Sequence, residues 1–359
     1  MCQLPLPPDS RGMTQLVQTR PGHTPTSRSR RGPGRLRLVL ATIAVLATLP
    51  YVAIKILWLT GSTIGLKDPD ALAGSAMEVA NAITLLMELT AAALAVALVL
   101  EVGKRIPAWL VQIPMFVGTG LLGGILVLLP VEAIRSAVTT PSAKQTAMTE
   151  FDPIAGWVYA MVYGGFAVLG VALLTIFALH SWERWIRPGG WTTRLSTWAP
   201  VPTRTRVLTM AHAIGLVAIC VAELVVATRL ELFGSHSIVA VLLSVVAGAG
   251  LIALATRTPG SLRGSSALVV TYVGAAAVAA WGLFFFIVMS LPNPLRGDDP
   301  IPTTLAILEF LRGLSGFITV IVASRLRKVR SVPGRRMGNL SARPAKGPQT
   351  EGHGTATAE

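Results

Sequence analysis

Apolar residues in this chain run on for whole helical lengths, and polar residues gather in the short breaks between the runs. Neither the strict alternation of a half-buried strand nor the one-sided stripe of a surface helix is present. A helix rises 1.5 Å per residue, so about 20 apolar residues cross a hydrocarbon core of about 30 Å. Stretches of that length fall at 38–59, 77–100, 109–129, 154–179, 207–227, 238–255, 267–291 and 305–326. Turn-rich segments separate them, among them Lys67-Asp68-Pro69-Asp70 and Pro292-Asn293-Pro294. The pattern predicts an all-α, polytopic membrane helix bundle with eight transmembrane helices over 38–326. Residues 1–37 and 327–359 lack apolar periodicity and read as disordered basic tails.

Composition agrees. Charged residues make up 13% of the chain and hydrophobic residues 52%, where a soluble protein carries about 25% charged. The net charge of +14 raises nucleic-acid binding, but the basic residues flank apolar runs instead of lining one face with aromatics. No nucleic-acid partner is expected. If the chain starts in the cytoplasm, 24 of the 31 Lys and Arg lie on that side and 5 on the other. That is the positive-inside distribution. It predicts a bacterial cytoplasmic (inner) membrane location with both termini cytoplasmic, and anionic lipid headgroups against the basic segments. The tails offer a protein partner a second place to bind. Ser29-Arg30-Arg31 resembles a twin-arginine signal, but Gly32-Pro33-Gly34 follows it and the first run lacks an A-x-A site, so that run reads as an anchor.

Ionisable residues inside the runs are the candidate chemistry. A charge at mid-bilayer costs about 2.5–3.5 kcal/mol on insertion scales, so its presence asks for a role. Glu88, Glu223 and Glu309 are candidate ion, proton or substrate carboxylates, with Lys55 and Arg312 as counter-charges. Together they predict one polar layer in the outer half, built from spans one, two, five and eight. Plainer readings stand beside these. Lys55 can snorkel to headgroups, Glu78 can mark the interface, and Glu309 with Arg312, three apart on one helix face, can be a structural pair. Pro50 is expected to kink the first span, because its ring clashes with the carbonyl of Leu46. Gly120 with Gly124, Ala160 with Gly164, Ser244 with Gly248, and Gly313 with Gly316 are the expected helix-packing positions.

Enzyme motifs are sparse. No Walker loop, H-E-x-x-H, C-x-x-C or G-x-S-x-G occurs, and Cys2 and Cys220 give neither a disulfide nor a metal spacing. No metal or cofactor is expected. Gly313-Leu314-Ser315-Gly316 and Ala211-His212-Ala213-Ile214-Gly215 resemble the serine and histidine motifs of rhomboid proteases, in reversed order and at different depths. His180 and His212 could ligate a haem, and His180 with Glu183 a metal, against the plainer reading of solvated interfacial histidines. Leu49-Pro50-Tyr51, Lys55, Trp58 and Gly61 resemble a motif of bacterial multi-pass membrane proteins without an assigned activity. That resemblance covers 49–61 and implies a multi-pass fold only.

The basic segment 180–206 divides the runs into two sets of four. Arg37-Leu38-Val39-Leu40 and Arg206-Val207-Leu208-Thr209 open the sets alike, and Leu129-Pro130 and Leu291-Pro292 close the third run of each. Two four-helix halves forming a parallel repeat is one reading; chance likeness between apolar sequences is the other. The functional expectation is small-solute or ion transport through the bundle. The alternative is a non-catalytic scaffold or sensor acting through the tails, and no enzyme is expected.

Overall fold

The computed structural model describes residues 34–70, 73–138, 152–230, 235–290 and 303–327. Eight helices long and apolar enough to cross a membrane carry the fold, and among the described residues no strand forms. They are α1 (Arg35–Leu59), α2 (Ser75–Val99), α3 (Ala108–Val138), α4 (Gly156–Ser181), α5 (Thr203–Arg229), α6 (Ser235–Thr256), α7 (Gly264–Ser290) and α8 (Thr303–Leu326). A short helical turn, Glu101–Arg105, joins α2 to α3, and a π-helical turn, Trp182–Ile186, extends α4. The chain is an integral multi-pass membrane protein.

The helices begin before the predicted spans wherever a polar first turn precedes the apolar run. Arg35–Arg37 belong to α1 and not to the tail; residues 1–33 and 328–359 lie outside the described residues. The largest departure is α3, predicted to end at 129, which continues through Pro130 to Val138. Its 31 residues span about 46 Å, more than the hydrocarbon core, so the last turns project beyond it. An ion pair between Arg135 and Glu132, three residues apart at 2.8 Å, supports that protruding end. α1 likewise runs on through Pro50 without a break.

Packing follows the two sets of four. α1 lies against α2 and α4, and α5 lies against α6 and α8; α4 meets α3, and α8 meets α7. α3 and α7, the third helix of each set, pack on each other and join the halves. Phe116 on α3 seats there against Ala276 and Ala279 of α7. The halves differ in depth: 56% of the apolar window of α6 is buried against 22% for α2, so α6 is central and α2 peripheral.

Small residues set the closest approaches, because lipid tails supply no hydrophobic drive between helices. A methyl group at Gly282 would lie 2.6 Å from the backbone nitrogen of Gly313, and one at Gly316 would lie 2.6 Å from that of Ala279. α7 and α8 therefore touch backbone to backbone. Gly120 abuts Ala276, and Gly124 abuts Trp281, whose indole donates to the Gly120 carbonyl at 3.1 Å. Gly248 makes only ordinary contact with α5. Gly164 does not pack, contrary to expectation: a side chain there would meet nothing within 4 Å, because that face of α4 points outward. Its neighbour Gly165 is the one turned toward α1, where a methyl group would lie 3.1 Å from the Ala47 carbonyl. Gly164→Ala is therefore expected to stabilise the protein by about 0.5–1 kcal/mol, the helix-propensity gain alone. A rise in thermal midpoint checks this; a fall means the face is occupied.

The basic ends of the helices are tied together by half-buried arginines. Arg184 donates to the carbonyls of Gly103 and Ile106, each at 2.7 Å. Arg257 donates to Ala199, Leu254 and Leu326 carbonyls at 3.1, 2.5 and 2.8 Å. These carbonyls include helix-terminal ones that lack an intrahelical partner. Arg37 pairs with Glu183 at 2.6 Å. On the opposite face, Lys67 donates its backbone N–H to the Pro153 carbonyl at 2.7 Å, linking the α1–α2 and α3–α4 connections.

Candidate functional site

The polar residues form two clusters, one in each half, and not the single layer predicted from spans one, two, five and eight. α1 and α2 share no packed interface with α5 or α8. Helix rotation and the α3–α7 junction keep the two groups apart.

In the second half, Arg312 on α8 sits between two carboxylates. Its guanidinium lies 2.5 Å from Glu309 one turn away and 3.5 Å from Glu223 on α5. Ser237 on α6 donates to the other oxygen of Glu223 at 2.9 Å. Glu223 and Arg312 are 1% exposed and Glu309 is 0% exposed. Glu309 Oε1 and Arg312 Nε have no hydrogen-bond partner among the described residues. The expected pairing of Glu309 and Arg312 is present, and Arg312 is also the counter-charge of Glu223. The cluster carries two carboxylates and one guanidinium in a site shielded from solvent, where an excess charge is costly. One proton or one monovalent cation brings it to neutrality.

A cavity of about 30 Å³ adjoins Arg312, room for a water molecule or two. His236, Trp281, Phe285, Gly124 and Leu243 share its wall. Phe285 is interposed between the His236 ring at 4.7 Å and the Arg312 guanidinium at 5.9 Å. Glu132, half-exposed near the C-terminal end of α3, is an electrostatic neighbour of His236 and bonds to Ser235. Glu132, His236, the cavity and Arg312 thus lie in series from the rim to the buried carboxylates.

The first half holds Lys55. It neither snorkels nor pairs with Glu88. Its side chain turns inward, its ammonium donates to Asn81 Oδ1 at 2.7 Å, and the Tyr51 and Trp58 rings flank it at 4.9 and 5.0 Å. Cation–π contact and one hydrogen bond replace the ion pair. Asn81 stands two turns before Glu88 on α2, which puts the carboxylate about 10 Å farther along the axis. Glu88 is buried near the Tyr51 phenol and forms no ion pair with a described residue. Glu78 is exposed at the first turn of α2, as an interfacial residue should be.

The segment 49–61 acquires a physical meaning here. Gly61, with φ +89°, ends α1: its N–H reaches the Trp58 carbonyl at 3.1 Å and that of Ser62 reaches Leu57 at 2.9 Å. This pair of hydrogen bonds closes a helix at a left-handed glycine. Tyr51, Lys55, Trp58 and Gly61 therefore build the cation cage and its helix stop. Lys55 and Glu223 lie equally far from the starts of α1 and α5, and each bonds to the opening turns of the following helix.

His212 meets α8, bonding Thr319 Oγ1 at 2.9 Å, one turn from Ser315. Thr319 donates in turn to the Ser315 carbonyl at 2.8 Å, so the histidine engages Thr319 and not the serine hydroxyl. His180 lies in the other half, its ring 5.5 Å from Trp185, and Glu183 is engaged by Arg37. Among the described residues no group of three or more His, Cys, Asp or Glu is placed to hold a metal. No local pattern in the sequence marks Ser237, His236 or Asn81. His236 and Ser237 precede the apolar run that begins at 238, and only the earlier helix start at Ser235 brings them into the bundle.

No family model matches this chain, and neither a curated protein nor a solved structure matches it.

Proposed function

We propose that this protein is an ion transporter that moves protons through its helix bundle, with Glu223 and Glu309 as the proton-binding carboxylates and Arg312 as their counter-charge. One observation carries the reading: two fully buried carboxylates share a single guanidinium. Taking up one proton neutralises the cluster and weakens one of its ion pairs. α5 and α8, which those pairs tie together, can then repack. Intramembrane ionisable groups that face a bundle interior are typical of proton relays and ion paths. Glu132 and His236 provide the approach from the acidic face, and the basic face is cytoplasmic by the positive-inside rule. On this reading the protein resides in a bacterial inner membrane with its basic ends toward anionic headgroups.

The test is proton entry into proteoliposomes that hold a pH-reporting dye, driven by an imposed potassium diffusion potential. The wild type should acidify the lumen. Glu309→Gln removes the surplus charge but leaves the Glu223–Arg312 pair, so it should abolish proton entry at an unchanged thermal midpoint. No dye response in the wild type, or an equal response in the variant, ends the proposal.

A further inference from the structure

We infer that Arg194 and Arg263, with Arg327 at their edge, bind the phosphate of an anionic phospholipid headgroup. The inference rests on the membrane location and is independent of proton transport. Residues 193–195 and 262–264 run antiparallel between the end of α4 and the start of α7. The Leu195 N–H meets the Leu262 carbonyl at 2.8 Å, and the Gly264 N–H meets the Thr193 carbonyl at 2.9 Å. Between those two bonds Arg194 and Arg263 form a bridge pair. This is the non-hydrogen-bonded kind of pair, whose Cα atoms lie about 4.5 Å apart with both side chains on one face. Like charges directly opposite each other destabilise such a pairing.

Nothing in the described chain relieves the repulsion. Both arginines are exposed, and no carboxylate of a described residue pairs with either of them or with Arg327. The contrast with their neighbours is sharp. Arg184 and Arg257 are engaged by backbone carbonyls, and Arg37 by Glu183. Arg327, from the end of α8, stacks its guanidinium 4.9 Å over Trp191, three residues before Arg194. Trp191 is itself held to α7, accepting the Ser265 N–H at 2.6 Å. Three cations thus border the turn where α6, α7 and α8 end, with an indole beneath Arg327. Arginine forks match phosphate oxygens, and indoles settle at headgroup depth. The location selects a lipid phosphate over a soluble one.

The experiment follows thermal unfolding and lipid retention of the full chain in nanodiscs of phosphatidylcholine with or without phosphatidylglycerol. Phosphatidylglycerol should raise the midpoint of the wild type and stay bound in native mass spectrometry. The double variant Arg194→Gln/Arg263→Gln should bind it about 30-fold more weakly, about five-fold per arginine. In pure phosphatidylcholine the same variant should be more stable than the wild type, because the repulsion is gone. That reversal separates an anion site from a structural role. Arg204→Gln/Arg206→Gln, which removes exposed charge elsewhere on the face, should keep the response. Equal responses from wild type and the first variant overturn the site. An equal response to inorganic phosphate in phosphatidylcholine overturns the lipid assignment.

Discussion

Arg312→Met is expected to destabilise the protein by about 3–5 kcal/mol, the usual cost of removing one partner from a buried charge group. Glu223 and Glu309 would then face each other across a site that solvent does not reach, with only Ser237 among the described residues donating to either. The expected readouts are a large fall in thermal midpoint in detergent or nanodiscs and reduced protein in the membrane. Methionine keeps much of the volume, so the loss reports charge more than packing. The triple variant Arg312→Met/Glu223→Gln/Glu309→Gln carries no charge at the site and should recover most of the midpoint while remaining inactive in proton entry. A single variant as stable as the wild type would mean that Arg312 does not balance the carboxylates. A triple variant that stays as unstable as the single one would assign the loss to packing.

Gly282→Ala is expected to destabilise the bundle and disturb the acid–base cluster together. The added methyl would approach the Gly313 nitrogen at 2.6 Å and the Glu309 carbonyl at 2.9 Å. Both are backbone atoms, so no side-chain rotation relieves the clash and α8 must move away from α7. Overpacking of this kind costs about 1–3 kcal/mol, more than the helix-propensity gain of about 1 kcal/mol returns. The contact is at Glu309 itself, so the displacement carries the acid–base cluster with it. Proton entry should fall together with the thermal midpoint, unlike Glu309→Gln, which should separate the two. Gly164→Ala moving the midpoint the other way supplies the internal control. A Gly282→Ala protein with unchanged midpoint and flux would show that α7 and α8 have slack at this crossing.

The carboxylates, the arginine and the first-span lysine were all legible in the sequence, because an ionisable residue stands out in an apolar run. Their partners were legible only where they share a helix. Glu309 and Arg312 are three residues apart, and helix geometry alone brings them together. Glu223 lies on another helix, 89 residues from Arg312, and nothing local announces that contact. Lys55 was expected to balance Glu88 on charge alone. The rotation of α2 offers it Asn81 instead, a neutral residue without a signal in a charge count. Gly164 failed for a related reason: a small-x-x-x-small pair marks a helix face that permits close approach but does not say whether a neighbour stands there. Gly282 carries no local mark, because its counterpart, Gly313, is on the next helix.

The sequence by itself determined how many times the chain crosses the bilayer and which ends of the helices are basic. Transfer from water to lipid is a sum over residues adjacent in the chain, so hydropathy and loop charge can be read without knowing any contact. Only the tertiary structure decided which intramembrane charges meet, which glycines touch, and that Arg194 stands opposite Arg263. Those outcomes depend on the rotation of each helix about its axis and on connections between distant turns. A helix that is apolar on every side carries no stripe to mark the face it turns inward.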